Sequence, residues 1–370
     1  MKFQNLIGIL SLLFAFTLCA FAQTPRPTPP KVQNSEDDGE IIKVESRLVI
    51  VPVSVTDPLG QPILGLKAQD FRILEDNKSQ EIAQVSDAEK VPLEIALLID
   101  VSGSVNPLFE FEKKAAAQFL ESIMKPDDKA TIFLIGDQPA LAQERDNAQR
   151  AAIQVRAIVP SGKFTAFYDT VTTAAQYLQK NAPARSRRVI LALTDGEDNW
   201  SNLTREAEKD TYSDLDVNTL TREKLNKLAA KTDSAHRVAQ DKILRDLQNA
   251  DTVFYVINPA GDSFRLNKIS TRAQNGLQKF SEQTGGTAFL PNFLPTNLKD
   301  QLQNSANTKT NETTLAKIFR TLANELQAQY LVQYYSEGDF PNSKYVKLNV
   351  NLTRPEKLRV RARQGYFVKN

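Results

Sequence analysis

Four apolar runs recur through the middle of the chain: LEIALLID (93–100), KATIFLIGD (129–137), RRVILALTD (187–195) and DTVFYVIN (251–258). Each is apolar at consecutive positions, the pattern of a strand buried on both faces. After the first run, Ala116, Phe119, Leu120 and Ile123 repeat at helical spacing. Before the third, Val171, Ala174, Ala175 and Leu178 do the same. Buried strands alternating with amphipathic helices predict an α/β, Rossmann-like domain with a mainly parallel central sheet flanked by helices. The functional crevice of such a sheet lies beyond the carboxyl ends of its strands. Asp100, Asp137 and Asp195 all fall there.

The flanks have a different texture. RLVIVPVSVTD and DFRILEDNKSQEIAQVSD are short β-branched stretches separated by the turn-rich DPLGQP. Near the other end, the helical TLAKIFRTLANELQAQ leads into YLVQYY, KYVKLNVNLT and KLRVRARQGYF, which alternate with a period of two. Each β piece alone has few strands and poor independent stability. The economical arrangement is a small β-sandwich built from both ends of the chain, 41–91 and 329–370, with the α/β domain (92–328) inserted between them.

Composition narrows the setting. Across 370 residues, 46 basic and 44 acidic side chains nearly cancel, so no global field favours nucleic acid. A single histidine, His236, excludes most zinc sites and chemistry that needs paired imidazoles. Residues 1–22 read as a signal peptide: Lys2, an apolar run, and Ala20-Phe21-Ala22 as the cleavage site. Its removal takes the single cysteine, Cys19, with it, and implies an exported protein in the periplasm, at the cell surface or in the medium. Residues 23–40 are Pro-rich and then acidic, an extended, disordered linker. No later segment is long and apolar enough to span a bilayer, so the mature chain is expected to lack a transmembrane segment.

Three short stretches then stand at strand ends or helix starts: DVSGS (Asp100, Ser102, Ser104), PSGKFTAFYD (Thr165) and LTDGEDN (Thr194, Asp195, Gly196). Taken singly, each is an ordinary turn or cap; Thr165 could be no more than an N-cap, with Asp169 favoured by the helix dipole. Together they bring hydroxyls and carboxylates to one edge. That all-oxygen set suits Mg²⁺, Mn²⁺ or Ca²⁺ rather than zinc or copper.

With these stretches in place, residues 93–328 resemble a von Willebrand factor type A (vWA) domain, and the three stretches are similar to its metal-ion-dependent adhesion site. The flanking segments resemble the ends of exported bacterial proteins called VWFA-related. The resemblance implies Ser102, Ser104 and Thr165 as inner metal ligands, with Asp100 and Asp195 acting largely through water. It is weakest across 200–245 and 259–312, which read as insertions. It also implies a binding mode, in which an Asp or Glu side chain of a protein partner completes the shell of a Mg²⁺ ion. The expected function is metal-dependent protein binding without catalysis. The alternatives are a structural envelope protein whose metal stiffens loops, and a Mg²⁺-dependent hydrolase. The hydrolase is disfavoured: there is no GxxxxGK[ST] or GxGxxG loop, and Val101 precedes Ser102 where a DxDxT loop would carry its second aspartate.

Several features remain at the level of expectation. Trp200 and Asp198, beside the third stretch, are candidate partner contacts. His236 reads as a solvated residue on a charged helix. Arg359, Arg361 and Arg363 read as the solvated face of an edge strand. DLDVN (214–218) starts like a calcium loop but lacks the glycine and glutamate of an EF-hand. SEQTGGTAF (281–289) reads as a helix stopped by Gly285.

Overall fold

The computed structural model describes residues 47–87, 90–102, 107–162, 164–212, 221–261, 267–296, 299–354 and 357–369, all within one unit spanning Val44–Asn370. The expected signal peptide and linker, Ser104 and DLDVN lie outside the described residues.

The central sheet is as the pattern predicts. Its strands are β5 (Leu93–Asp100), β6 (Lys129–Ile135), β7 (Pro139–Asp146), β8 (Arg187–Leu193), β9 (Thr252–Ile257) and β10 (Ala288–Phe289), in the order β10-β9-β8-β5-β6-β7. All neighbours are parallel except the β6–β7 hairpin. Helices cover both faces. On one side α1 (Pro107–Ile123), α2 (Ala148–Ala157) and α7 (Gln301–Gln327) bury Ile95, Leu97 and Ile99 of β5. On the other, α3 (Phe167–Asn181), the second half of α5 (Arg222–Asn249) and α6 (Lys268–Thr284) bury Ala96 and Leu98. This two-sided burial is why the strands read as unbroken apolar runs. The remaining helix, α4 (Asn202–Tyr212), follows the third stretch and packs on α5.

Two four-stranded antiparallel sheets are built from both chain ends. One has the order β13-β1-β11-β4, joining Arg359–Ala362, Arg47–Thr56, Gln329–Ser336 and Ile82–Asp87. The other has the order β14-β12-β2-β3, joining Gly365–Phe367, Tyr345–Leu352, Phe71–Glu75 and Lys78–Gln80. Alternate residues of β1 (Val49, Val51, Val53, Val55) meet Phe71, Ile73, Tyr330, Val332, Tyr334, Val346 and Leu348 in a third core.

Residues 259–312, expected as an insertion, carry elements that pack into the core. They include α6, which buries Ala273, Leu277 and Phe280, and β10, which pairs with β9. Within 200–245, the second half of α5 packs into the same core, while Arg222–Lys231 is largely exposed. Arg361 and Arg363 do not form a solvated row: Arg361 donates to the Gly286 carbonyl, and buried Arg363 pairs with Asp251 at 2.7 Å. They fasten the C-terminal β segment to the α/β layer, whereas Arg359 is exposed. Gly285 does end α6, at φ 89°, where a side chain would strike the backbone of Ala362.

Candidate functional site at the sheet edge

The site begins where β5 ends. Asp100 is its last residue, and backbone turning beyond it lets Ser102 donate to Asp100 Oδ1 twice, from N–H at 3.0 Å and from Oγ at 2.6 Å. The other carboxylate oxygen, Oδ2, accepts from the Thr194 hydroxyl at 2.6 Å, just past the end of neighbouring β8. The Thr194 Oγ1 in turn accepts from Gly196 N–H at 3.0 Å. Asp100, the first stretch and the third stretch are thus joined through one carboxylate.

The loop 158–166 is tied in by backbone bonds. The Val101 carbonyl accepts from Ser161 N–H at 2.7 Å, and Ala166 N–H donates to the Gly136 carbonyl at 2.6 Å. Thr165 is buried (6 % exposed) one residue before the cap of α3. Its N–H donates to Asn199 Oδ1 at 2.9 Å, and its carbonyl accepts from Asn199 and Trp200 N–H, both at 3.1 Å. Thr165 is therefore locked to the third stretch rather than serving as the N-cap, a position held by Ala166 without a side-chain cap bond. Asp169 caps a different helix: its carboxylate accepts from Asn202 N–H at 2.7 Å at the start of α4.

Asp195 follows Thr194. Its carboxylate accepts from Glu197 N–H at 2.9 Å. Burial pushes its carboxyl up to about 6; the Glu197 N–H pulls the other way, and the negative charge of Asp100 adds to the rise. Glu112 on α1 belongs to the same field: burial first, and the Asp100 charge second, push it to about 8. Gly196 (φ 76°) makes the third loop possible, since a Cβ there would sit 2.6 Å from Leu277 of α6.

Asp198 does not face a partner. It is 5 % exposed, and its oxygens accept from Tyr168 N–H, the Ser201 hydroxyl and the Thr204 hydroxyl. Its acceptor positions are thus occupied within the fold, which leaves little surface for the partner contact expected at Asp198. Trp200 is half-buried between two neighbours: Phe164 stacks on it at 4.2 Å and 8°, and the Arg205 guanidinium lies over its ring at 4.6 Å. His236 is likewise not a surface residue. It is 4 % exposed, with Nδ1 3.2 Å from the Tyr168 hydroxyl, and burial lowers its pKa to about 4. Thr194, Asn199 and Phe164 lie inside the stretches LTDGEDN and PSGKFTAFYD, but the contacts they make at this edge are not legible there; Glu112 is brought in by the packing of α1.

Among the described residues, no three His, Cys, Asp or Glu side chains form a metal-holding group. The donors along this edge, the hydroxyls of Ser102, Thr165 and Thr194 and the carboxylates of Asp100 and Asp195, are all oxygen, a chemistry that fits a hard divalent cation.

A helix-covered, mainly parallel sheet with hydroxyls and carboxylates gathered at its carboxyl edge defines the fold class expected of a vWA domain. Residues 95–197, which contain all five candidate metal positions, match the family described as von Willebrand factor type A domain. None of the curated proteins compared matches the chain. Among solved structures, the chain is similar to an aerotolerance-related membrane protein from Bacteroides fragilis NCTC 9343, at 16% identity and TM-score 0.35, covering 61% of this chain and 99% of that one. It is similar to the PilB minor pilin from Streptococcus sanguinis at 13% identity and TM-score 0.45, covering 64% of this chain and 62% of the pilin. The SpRpn10 VWA domain is similar at 13% identity and TM-score 0.35, covering 54% of this chain and 87% of that domain. Among the described residues no helix is long and apolar enough to cross a membrane.

Proposed function

We propose that this chain is an exported binding protein whose sheet edge holds a divalent cation, Mg²⁺ or one of its analogues Mn²⁺ and Ca²⁺, and uses it to take an Asp or Glu side chain of a protein partner. The observation that carries the reading is the joining of three strand-end stretches: Asp100 bonded by Ser102 and Thr194, with Thr165 locked to the Asn199–Trp200 segment. Ser102, Ser104 and Thr165 would hold the ion directly, and Asp100 and Asp195 would stand behind it. When bound, the cation supplies a weakly neutralised charge with a coordination position that a carboxylate completes.

What this chain's own residues do is position. Thr194 and Ser102 fix both oxygens of Asp100, so the carboxylate cannot swing away from the edge. Asn199 holds the Thr165 backbone at both its N–H and its carbonyl. The binding reading is preferred over hydrolysis because a Ser102 nucleophile needs a base. The lone imidazole, His236, is committed to Tyr168 in the core and lowered to about 4.

The test is affinity capture from an envelope extract in Mg²⁺ and in chelator, with Asp100→Ala as control. A partner retained in Mg²⁺ and lost both in chelator and with Asp100→Ala supports the reading. Retention indifferent to chelator and to the variant contradicts it. A metal that raises thermal stability without any metal-dependent partner would favour the purely structural role.

A further inference from the structure

The loops around the site expose apolar side chains that the α/β fold does not need. Phe164 (54 % exposed) and Val159 lie on the loop 158–166, and Ile269 lies in the first turn of α6. That turn adjoins the third stretch, because Ser270 Oγ donates to Glu197 Oε1 at 2.6 Å. Exposed apolar side chains on loops next to a polar site are candidates for partner contact.

Phe164 is the most organised of them. Its ring lies flat on Trp200 at 4.2 Å, and Arg205 lies over the same indole. The backbones beneath are fixed, since Thr165, the next residue, exchanges three hydrogen bonds with Asn199 and Trp200. With Trp200 packed behind it and half of its own surface open, Phe164 presents a flat aromatic face that costs little ordering on binding. Aromatic rings and Arg are the residue types that dominate interface energetics.

We propose that the Phe164–Trp200–Arg205 stack is a specificity subsite beside the metal edge. Its occupant is an aromatic side chain of an extended acidic peptide segment, lying within about three residues of the carboxylate that the edge takes. The inference rests on the cation-dependent reading for the carboxylate, but the aromatic contact is a separate claim about Phe164. Phe164 precedes Thr165, a candidate ligand, so the aromatic subsite and the metal edge share one loop, and an extended partner chain advances about 3.3–3.6 Å per residue. The Arg205 guanidinium, exposed on the outer side of α4, adds positive charge that suits an acidic segment.

The test uses the full chain and a peptide library with one fixed Asp and randomised flanks, panned in Mg²⁺ and in EDTA. The subsite predicts enrichment of Phe, Tyr or Trp near the Asp in Mg²⁺. Phe164→Ala should cut that enrichment about tenfold while Mg²⁺-dependent retention of Asp peptides persists. Retention in Mg²⁺ without aromatic preference, or a preference that survives Phe164→Ala, overturns the subsite and leaves the metal reading intact. A second readout separates the two claims. Trp200 is the single tryptophan of the chain, so its emission reports an aromatic ring arriving on Phe164. The enriched peptide with Asn in place of its Asp, titrated in EDTA, should still shift that emission saturably, and Phe164→Ala should abolish the shift. If panning shows no Mg²⁺ dependence but a tyrosine-centred acidic peptide shifts Trp200 in this way, the metal reading fails and the subsite stands. No shift from either peptide overturns the subsite.

Discussion

Two carboxylates in this protein show how differently a fold can treat the same group. Glu75 in the β-sandwich is 2 % exposed, and both of its oxygens are occupied: Tyr334 and Tyr366 hydroxyls donate to Oε1, and Ser336 donates to Oε2. Asp195 at the sheet edge accepts from Glu197 N–H, has its pKa held up by burial and sits in the field of Asp100. A buried acid with its acceptor capacity filled is a structural element. A buried acid beside another acid is disfavoured in its charged form, which is the state of Asp195.

The comparison is broken most severely at Glu75. Glu75→Ala leaves three buried hydroxyls without their acceptor and opens a cavity, so it should cost about 4 kcal/mol in chemical denaturation. A loss below about 1 kcal/mol would show that the sandwich does not depend on this carboxylate.

The second effect belongs to the core beneath the site. His236 has a folded pKa near 4 because burial disfavours its charged form. As pH falls, the unfolded chain takes the proton first, near the ordinary value of 6.5. The stability from the neutral, buried ring is fully present above about 6.5 and is lost as pH falls through the window down to about 4. The loss should reach about 3 kcal/mol, and His236→Phe should remove this component from the pH–stability profile. NMR titration of the single imidazole checks it directly; a folded-state value near 6.5 would contradict the packing described.

A smaller effect is expected where the two regions meet. Arg363 is buried and Asp251 half-exposed, so Arg363→Ala should cost about 2 kcal/mol, through lost packing over the Tyr366 ring as well as the lost pair. Mutating exposed Arg359 in parallel should change stability by less than about 0.5 kcal/mol. Equal effects would restore the reading of the row as a solvated face.

The smallest stability change should come from the site itself. Without metal at neutral pH, Asp195→Asn removes a charge that burial disfavours and should cost no stability, in contrast with Glu75→Ala. A loss as large as that at Glu75 would mean that Asp195 is a structural carboxylate.

Much of the fold was legible because its determinants are local or periodic. The two-sided burial of β5 is written in consecutive apolar residues, and Gly285 marks a helix stop that the chain obeys at φ 89°. The candidate site was legible as far as its motifs extend: Asp100, Ser102, Thr165 and Asp195 are all carried by the sheet edge or its adjoining loops. What failed was set by partners distant in sequence. The first turns of α5 are charged and exposed, and nothing local says that its second half, with His236, is buried against Tyr168. Asp198 reads as an exposed acid in a polar loop until Tyr168, Ser201 and Thr204 converge on it. Arg363 looks like the third member of an alternating row until Asp251, more than a hundred residues away, meets it. Buried polar groups are specified by their complements, and a single chain read in order does not show which complement arrives.

The central claim is that the edge formed by Asp100, Ser102, Thr165 and Asp195 holds a divalent cation. Isothermal titration of the purified chain with Mg²⁺, repeated with Asp100→Ala and with Trp200 emission followed in parallel, tests it most directly. The account predicts saturable one-site binding, a change in Trp200 emission at the same midpoint, and loss of both in the variant. Absence of binding at millimolar Mg²⁺, Mn²⁺ and Ca²⁺, or binding that Asp100→Ala leaves unchanged, would contradict it.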